Sequence, residues 1–212
     1  MPAPLPLLVG VDVGTTAVKA TAFAADGTIA ASRSRAYPTH RPGPGAAEQH
    51  ARDWTDAVGR VLGELEALVD PGAVAVLGLA SQVNTHLFVD AAGTPLAPAL
   101  TWQDVRAAPD AAALDAGTEP AERIAWWGAP LPIDASHALA RIARLARVDP
   151  RARASAAHVL LPKDHVLRWL TGELVSDALS NVGLVGADGT YTRWRPRPPP
   201  TPSTASAARA RS

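Results

Sequence analysis

Four short stretches of this chain bring together side chains able to do chemistry. The first, Val11-Asp12-Val13-Gly14-Thr15-Thr16, places one carboxylate ahead of a glycine and two hydroxyls, and Lys19 follows three residues on. A tight Gly-Thr-Thr turn aims backbone N–H groups and two hydroxyls at one spot, which suits phosphate oxygens. A carboxylate beside such a nest, here Asp12, is placed to hold a magnesium ion directly or through water. Gly14 is expected to permit a turn that most side chains would block. The plainer reading is a glycine turn in a hairpin whose aspartate satisfies nearby N–H groups.

The second stretch, Ser81-Gln82-Val83-Asn84-Thr85-His86, directly follows an apolar run. Polar side chains at the end of such a strand are where open α/β sheets bind ligands, although a polar loop capping the sheet gives the same pattern. The third, Thr101-Trp102-Gln103-Asp104-Val105-Arg106, sets an aromatic beside an amide, a carboxylate and a guanidinium. That mixture can hold a polyhydroxylated ligand, with the indole on its CH face and Asp104 and Arg106 bonding hydroxyls. It equally describes a helix start with Asp104 near the N-cap and a surface Asp–Arg pair worth little. The fourth, Leu160-Leu161-Pro162-Lys163-Asp164-His165, reads as a capped helix, with Asp177 further on. The six histidines form no His-x-x-x-His or His-Glu-x-x-His pair, so a zinc site of that kind is not expected. There is neither a Gly-x-Ser-x-Gly elbow nor a Gly-x-x-x-x-Gly-Lys-Ser/Thr loop.

These stretches need elements to position them. The apolar run 7 to 11, the β-branched stretch to Phe23 and the Asp26-Gly27 turn predict three antiparallel strands within residues 7 to 36. After a Pro/Gly loop over residues 37 to 45, a helix is expected from 49 to 69. Its apolar face is Trp54, Ala57, Val58, Val61, Leu62, Leu65 and Leu68, and Asp70-Pro71-Gly72 stops it. Residues 74 to 80 predict a fully buried strand under that helix. Residues 87 to 90 form another strand, and 105 to 116 a weakly specified helix. A firmer helix runs to Val148, capped by Asp134 or Ser136 and carrying Leu139, Ile142 and Leu145 on one side. A short strand over 159 to 161 and a helix over 162 to 170, opened by proline and ended by Thr171-Gly172, complete the series. Strand, strand, strand, helix, strand fits an α/β domain with a mixed sheet and packed helices.

With 47% apolar residues in 212, the chain can bury a sizeable core. It has no cysteine, hence neither disulfides nor thiolate metal sites. No apolar run approaches a membrane span and no basic segment precedes the first apolar run, so a cytoplasmic location is expected. The net charge of zero conceals an asymmetry: Arg193, Arg195, Arg197, Arg209 and Arg211 lie beyond Thr192 with no acid among them. The preceding residues therefore carry 15 basic and 20 acidic groups, a balance that argues against nucleic acid as the main partner. Residues 192 to 212, rich in Pro, Arg and Ala with no large apolar residue after Trp194, are expected to be a disordered tail; residues 1 to 191 form the domain.

Taken in order, five pieces resemble the FGGY family of carbohydrate kinases, most closely its xylulokinase-like members. They are Val11-Asp12-Val13-Gly14-Thr15-Thr16, Gly78-Leu79-Ala80-Ser81-Gln82, Pro98-Ala99-Leu100-Thr101-Trp102-Gln103-Asp104-Val105-Arg106, Leu160-Leu161-Pro162-Lys163-Asp164 and Leu170-Thr171-Gly172-Glu173. The resemblance spans residues 7 to 191 and implies a ribonuclease H-like, actin-like ATPase lobe that binds a sugar, ATP and Mg2+. It implies that Asp12 organises the metal, that Gly14, Thr15 and Thr16 meet the ATP phosphates and that Lys19 adds positive charge. Gln82, Asn84, Trp102, Asp104 and Arg106 would line the sugar side. Where many xylulokinases read Gln-Met-His-Gly, this chain has Gln82-Val83-Asn84-Thr85, so the resemblance does not fix the sugar.

Family members are about twice as long, and their second lobe supplies the adenine pocket and the general-base aspartate; no catalytic residue is therefore assigned here. The expectation is a kinase N-terminal lobe cut short near Thr192 by natural truncation or frameshift, inactive alone, poorly soluble and missing a partner lobe. The alternatives are a non-catalytic actin-like sugar- or nucleotide-binding module and a vestigial fragment.

Overall fold

A computed structural model describes residues 6–189 apart from 182 and 187. The tail expected from residue 192 onward lies outside the described residues.

The chain opens with β1 (Leu7–Val13), β2 (Ala17–Ala24) and β3 (Ile29–Ala36), joined as antiparallel neighbours. Gly27, at a φ of 87°, supplies the left-handed residue of the β2–β3 turn, as Asp26-Gly27 predicted. After the two-residue β4 (Glu48–Gln49) comes α1 (Ala51–Glu66), then a single 3-10 turn (Pro71–Ala73) and β5 (Val74–Ser81). β5 lies parallel to β1, giving the sheet order β3-β2-β1-β5. Alternation along β1 and β2 turns Val9, Val11, Val13, Val18, Ala20 and Ala22 to one face. α1 covers that face with Trp54, Ala57, Val58, Val61 and Leu65, all buried.

Three expectations here are corrected. The helix is shorter than 49 to 69, because Gln49 is drawn into a strand pairing with Ala99. Leu68 therefore falls beyond the helix end and stands half exposed. β5 is not a fully buried strand. Val76 is 54% exposed and Leu77 37%, because α1 lies across β1 to β3 and leaves β5 at the sheet edge.

The remaining elements divide between the core under α1, which takes Leu87, Val89, Ala99, Leu160 and Val166, and a second one. They are β6 (Leu87–Val89), β7 (Ala99–Leu100), α2 (Ala108–Ala116), α3 (Pro120–Trp127), α4 (Ala138–Val148), α5 (Pro150–Ser155), β8 (His158–Leu160) and α6 (Pro162–Thr171). β6 pairs with β8 and β7 with β4. Ala107, Ala111, Trp127, Ile133, Leu139 and Ala140 build a separate core within the helical part. α3 was not anticipated, although Pro120 at its first turn and Gly128 in the left-handed C-cap position mark both ends. The expected cap of α4 is also corrected. His137 is the N-cap, its Nδ1 accepting from Leu139 N–H at 3.2 Å, while Asp134 accepts from Ser136 one turn earlier.

Candidate functional site

β1 and β5 run parallel, so their C-terminal ends emerge side by side: Asp12 and Val13 from one, Ser81 and then Gln82 from the other. Asp12 faces the side of the sheet away from α1, in register with Lys19 of β2, and both are exposed. Gly14 N–H donates to Ala17 C=O at 3.0 Å, which closes the β1–β2 connection with Thr15 and Thr16 at its tip. Gly14 is not among the residues with positive φ, so its backbone is not one that other residues avoid. Its requirement is close approach: a Cβ there would sit 3.2 Å from Ala17 C=O and 3.6 Å from Asp12 Oδ2. The Tyr37 hydroxyl donates to Gly14 C=O from beneath. Burial, with the Asp12 charge adding to it, raises the phenol well above its ordinary range.

A chain of side-chain hydrogen bonds joins this turn to the polar stretches that follow β5 and β7. Gln49, fully buried, is its hub. Its Nε2 donates to Thr15 C=O and to Thr39 Oγ1, each at 2.8 Å. Its Oε1 accepts from Trp54 Nε1 at 3.0 Å and from Gln82 Nε2 at 2.8 Å. Gln82 Oε1 accepts from Thr85 Oγ1, which in turn accepts from Trp102 N–H at 3.2 Å. The Trp102 indole then closes the circuit by donating to Thr15 Oγ1 at 3.0 Å. With 48% of its surface exposed, that indole still presents a face to solvent. Asn84, between these partners, takes a left-handed φ of 53° that asparagine tolerates better than most residues.

Asp104 and Arg106 form a charged cluster with Ala47 and Glu48, next to Gln49 in the chain. Asp104 Oδ2 accepts from Ala47 N–H at 2.9 Å and from Arg106 Nη2 at 2.7 Å, while Oδ1 accepts from Arg106 N–H at 3.1 Å. Arg106 also reaches the Glu48 carboxylate. Burial alone would raise the Asp104 carboxyl; the hydrogen bonds from Arg106 and Ala47 outweigh it and hold the group below its ordinary value. Asp104 is buried and Arg106 partly so, which makes this more than a surface pair, and Asp104 caps no helix, since α2 begins at Ala108.

The structure thus brings Asp12, Gly14, Thr15, Thr16, Lys19, Gln82, Asn84, Trp102, Asp104 and Arg106 to one end of the sheet. Gln49 and Arg141, which the sequence did not single out, bond to Thr15 C=O and Asn84 C=O in the same region, and Thr85 joins them from the stretch after β5. Among the described residues no group of three or more His, Cys, Asp and Glu is placed to hold a metal ion. An exposed carboxylate beside a hydroxyl-bearing turn could instead hold a hydrated divalent cation that arrives with a phosphate. Lys163 is elsewhere, its ammonium shared between Asp164 at 2.5 Å and Asp177 at 2.8 Å, while Asp164 also accepts from Leu161 N–H. An apolar groove of about 510 Å3 beside that network, between β5 and α6, is lined by Leu77, Leu79, Leu167 and Leu170 and by none of the site residues above.

Residues 7–186 match the sequence profile of the FGGY family of carbohydrate kinases, N-terminal domain. The xylulose kinase of Streptomyces coelicolor is 37% identical over 174 residues, covering 81% of this chain and 35% of that protein. The xylulose kinase of Escherichia coli is 29% identical over 191 residues, covering 89% of this chain and 38% of the relative. A crystal structure of a xyloylose kinase from Brucella ovis superposes with a TM-score of 0.80 at 26% identity, over 88% of this chain and 39% of the other. These sugar kinases share the actin-like ATPase fold, and the mixed sheet with its packed helices is that fold. The chain spans little more than a third of the length of these relatives. On this match, the chain belongs to the FGGY family of carbohydrate kinases and carries the family's N-terminal domain.

Proposed function

We propose that this domain is the sugar- and phosphate-binding half of an ATP-dependent kinase acting on a ketose or polyol, with a pentulose such as D-xylulose as the first candidate. The observation that carries this reading is the 3.0 Å bond from Trp102 Nε1 to Thr15 Oγ1. It sets the aromatic face suited to a sugar beside the turn suited to a phosphate, the juxtaposition that in-line phosphoryl transfer needs. Gln82, Asn84 and Arg106 supply polar groups for hydroxyls. Asp104, with both oxygens already accepting protein N–H groups, serves the sugar by fixing Arg106. Thr15, Thr16 and Lys19 meet phosphate oxygens, and Asp12 orients Mg2+, whose role is to neutralise charge on the transferring phosphoryl group.

In the reaction a sugar oxygen attacks the γ-phosphorus, the bond from phosphorus to the β–γ bridging oxygen breaks, and the hydroxyl proton passes to a base. The family resemblance implies a base and an adenine pocket in a second lobe, and on that reading we expect this chain alone to bind sugar without turning it over. Calorimetric titration with D-xylulose, glycerol and gluconate, paired with an ADP-release assay, tests this. Saturable binding of a ketose or polyol without ADP release is expected. Cooperatively folded protein that binds none of them would overturn the sugar reading, and unaided turnover would overturn the need for a second lobe.

A further inference from the structure

Arg141 carries a guanidinium into the interior. It sits in the first turn of α4 with its side chain fully buried. Its recorded partners are three carbonyls and an imidazole, with no carboxylate among them. Nη1 donates to Asn84 C=O at 2.6 Å, Leu100 C=O at 2.7 Å and His86 Nδ1 at 2.9 Å, and Nη2 donates to Thr101 C=O. Burial lowers the guanidinium to about 10, with Asp104 and Asp134 acting at longer range to raise it, so it stays charged at neutral pH. His86, buried beside it, is pushed well below its ordinary value by desolvation and by the Arg141 charge, and it accepts at Nδ1 as a neutral ring.

Burying a guanidinium among neutral dipoles is costly, and cohesion alone would be served as well by an apolar side chain. What an apolar residue could not do is join two separate segments through one planar fork of donors. The segments Arg141 joins are residues 84–86 and 100–101. The first contains Asn84, with its left-handed backbone, and the second leads directly into Trp102. They meet each other through the narrow His86–Leu100 bridge, with 3.0 Å bonds in both directions, and through the 3.2 Å bond from Trp102 N–H to Thr85 Oγ1 just beyond it. α4 belongs to the second core, so the fork ties that helical layer to the two segments.

We propose that Arg141 is a positioning residue that sets the spacing of Asn84 and Trp102 so that both face one sugar. The proposal rests on the sugar reading above and touches no reacting atom. The test uses the full chain with Arg141→Lys and Arg141→Met, read by D-xylulose calorimetry and by amide hydrogen exchange. Lysine keeps the charge but cannot span both segments, so its variant should melt cooperatively while binding sugar at least tenfold more weakly. The amides of His86, Leu100 and Trp102 should exchange at least tenfold faster, with those of α1 and β1 to β3 unchanged. Affinity and local exchange within twofold of the parent, or exchange rising evenly through α1 and the sheet, would overturn the proposal. If the parent chain itself binds no sugar, the sugar reading falls, and the exchange pattern still decides whether Arg141 fixes the two segments.

Discussion

At the scale of single residues, the candidate site depends on side chains that spend their polar groups on one another. Gln49 is the clearest case, since all four of its recorded bonds go to groups in or beneath the site. Gln49→Leu would keep the volume and remove the hub, leaving Thr15 C=O and Trp54 Nε1 without their partner. A loss of about 2 kcal/mol in denaturant unfolding is expected, since an unsatisfied buried group costs roughly 1 to 3 kcal/mol. Sugar affinity should fall with it. Gly14→Ala should weaken phosphate binding more than stability: its φ is one that alanine adopts, but its Cβ would press on Ala17 C=O at 3.2 Å and shift the turn beside Asp12 Oδ2. MgATP calorimetry set against melting temperature separates the two effects. The sequence showed Asp12, Gly14, Thr15, Gln82 and Trp102 because each stands in a short pattern whose chemistry is local. It hid Gln49 and Arg141, whose meaning lies in partners some 30 to 60 positions away. In the run Ala-Arg-Ile-Ala-Arg-Leu-Ala-Arg, nothing distinguishes buried Arg141 from the more exposed Arg144 and Arg147.

At the scale of elements, the apolar periodicity of α1 and the Asp26-Gly27 turn were legible because they are fixed by neighbours in sequence. The exposure of β5 was not, since a run such as Val-Ala-Val-Leu-Gly-Leu-Ala reads alike whether a helix covers it or lies one strand away. The cap of α4 escaped for a different reason: histidine is an uncommon N-cap, and Asp134 and Ser136 looked the better candidates. That cap has a consequence for pH. Burial lowers His137 to about 4, partly offset by Asp134 and reinforced by Arg123. With the folded value below the unfolded one, the unfolded chain binds more protons between about pH 4 and 6.5. Stability is then full above that window and lost as pH falls through it, by up to about 3 kcal/mol. Buried His86 acts in the same direction. His137→Asn keeps a cap acceptor that does not titrate, so the gap in melting temperature between pH 7 and pH 5 should narrow. An unchanged gap would count against His137 as a source of acid sensitivity.

At the scale of the whole molecule, the two edges of the sheet differ. β3 carries Arg33 and Arg35, which discourage pairing with another chain, whereas β5 offers exposed Val76 and Leu77, with Leu8 exposed beside Val76 on β1. We therefore expect concentration-dependent association of the chain in sedimentation experiments, reduced by Val76→Lys. A monodisperse monomer at high concentration would contradict this. The central claim concerns the other end of that strand, where β1 and β5 deliver the sugar and phosphate groups to one surface. It is tested most directly by amide and indole chemical shifts during titration with D-xylulose and, separately, with MgATP. The account predicts that the sugar moves the Trp102 indole and the amides of Gln82 and Asn84, while MgATP moves those of Gly14, Thr15 and Thr16. Shifts confined to the groove between β5 and α6, or no shifts with either ligand, would contradict it.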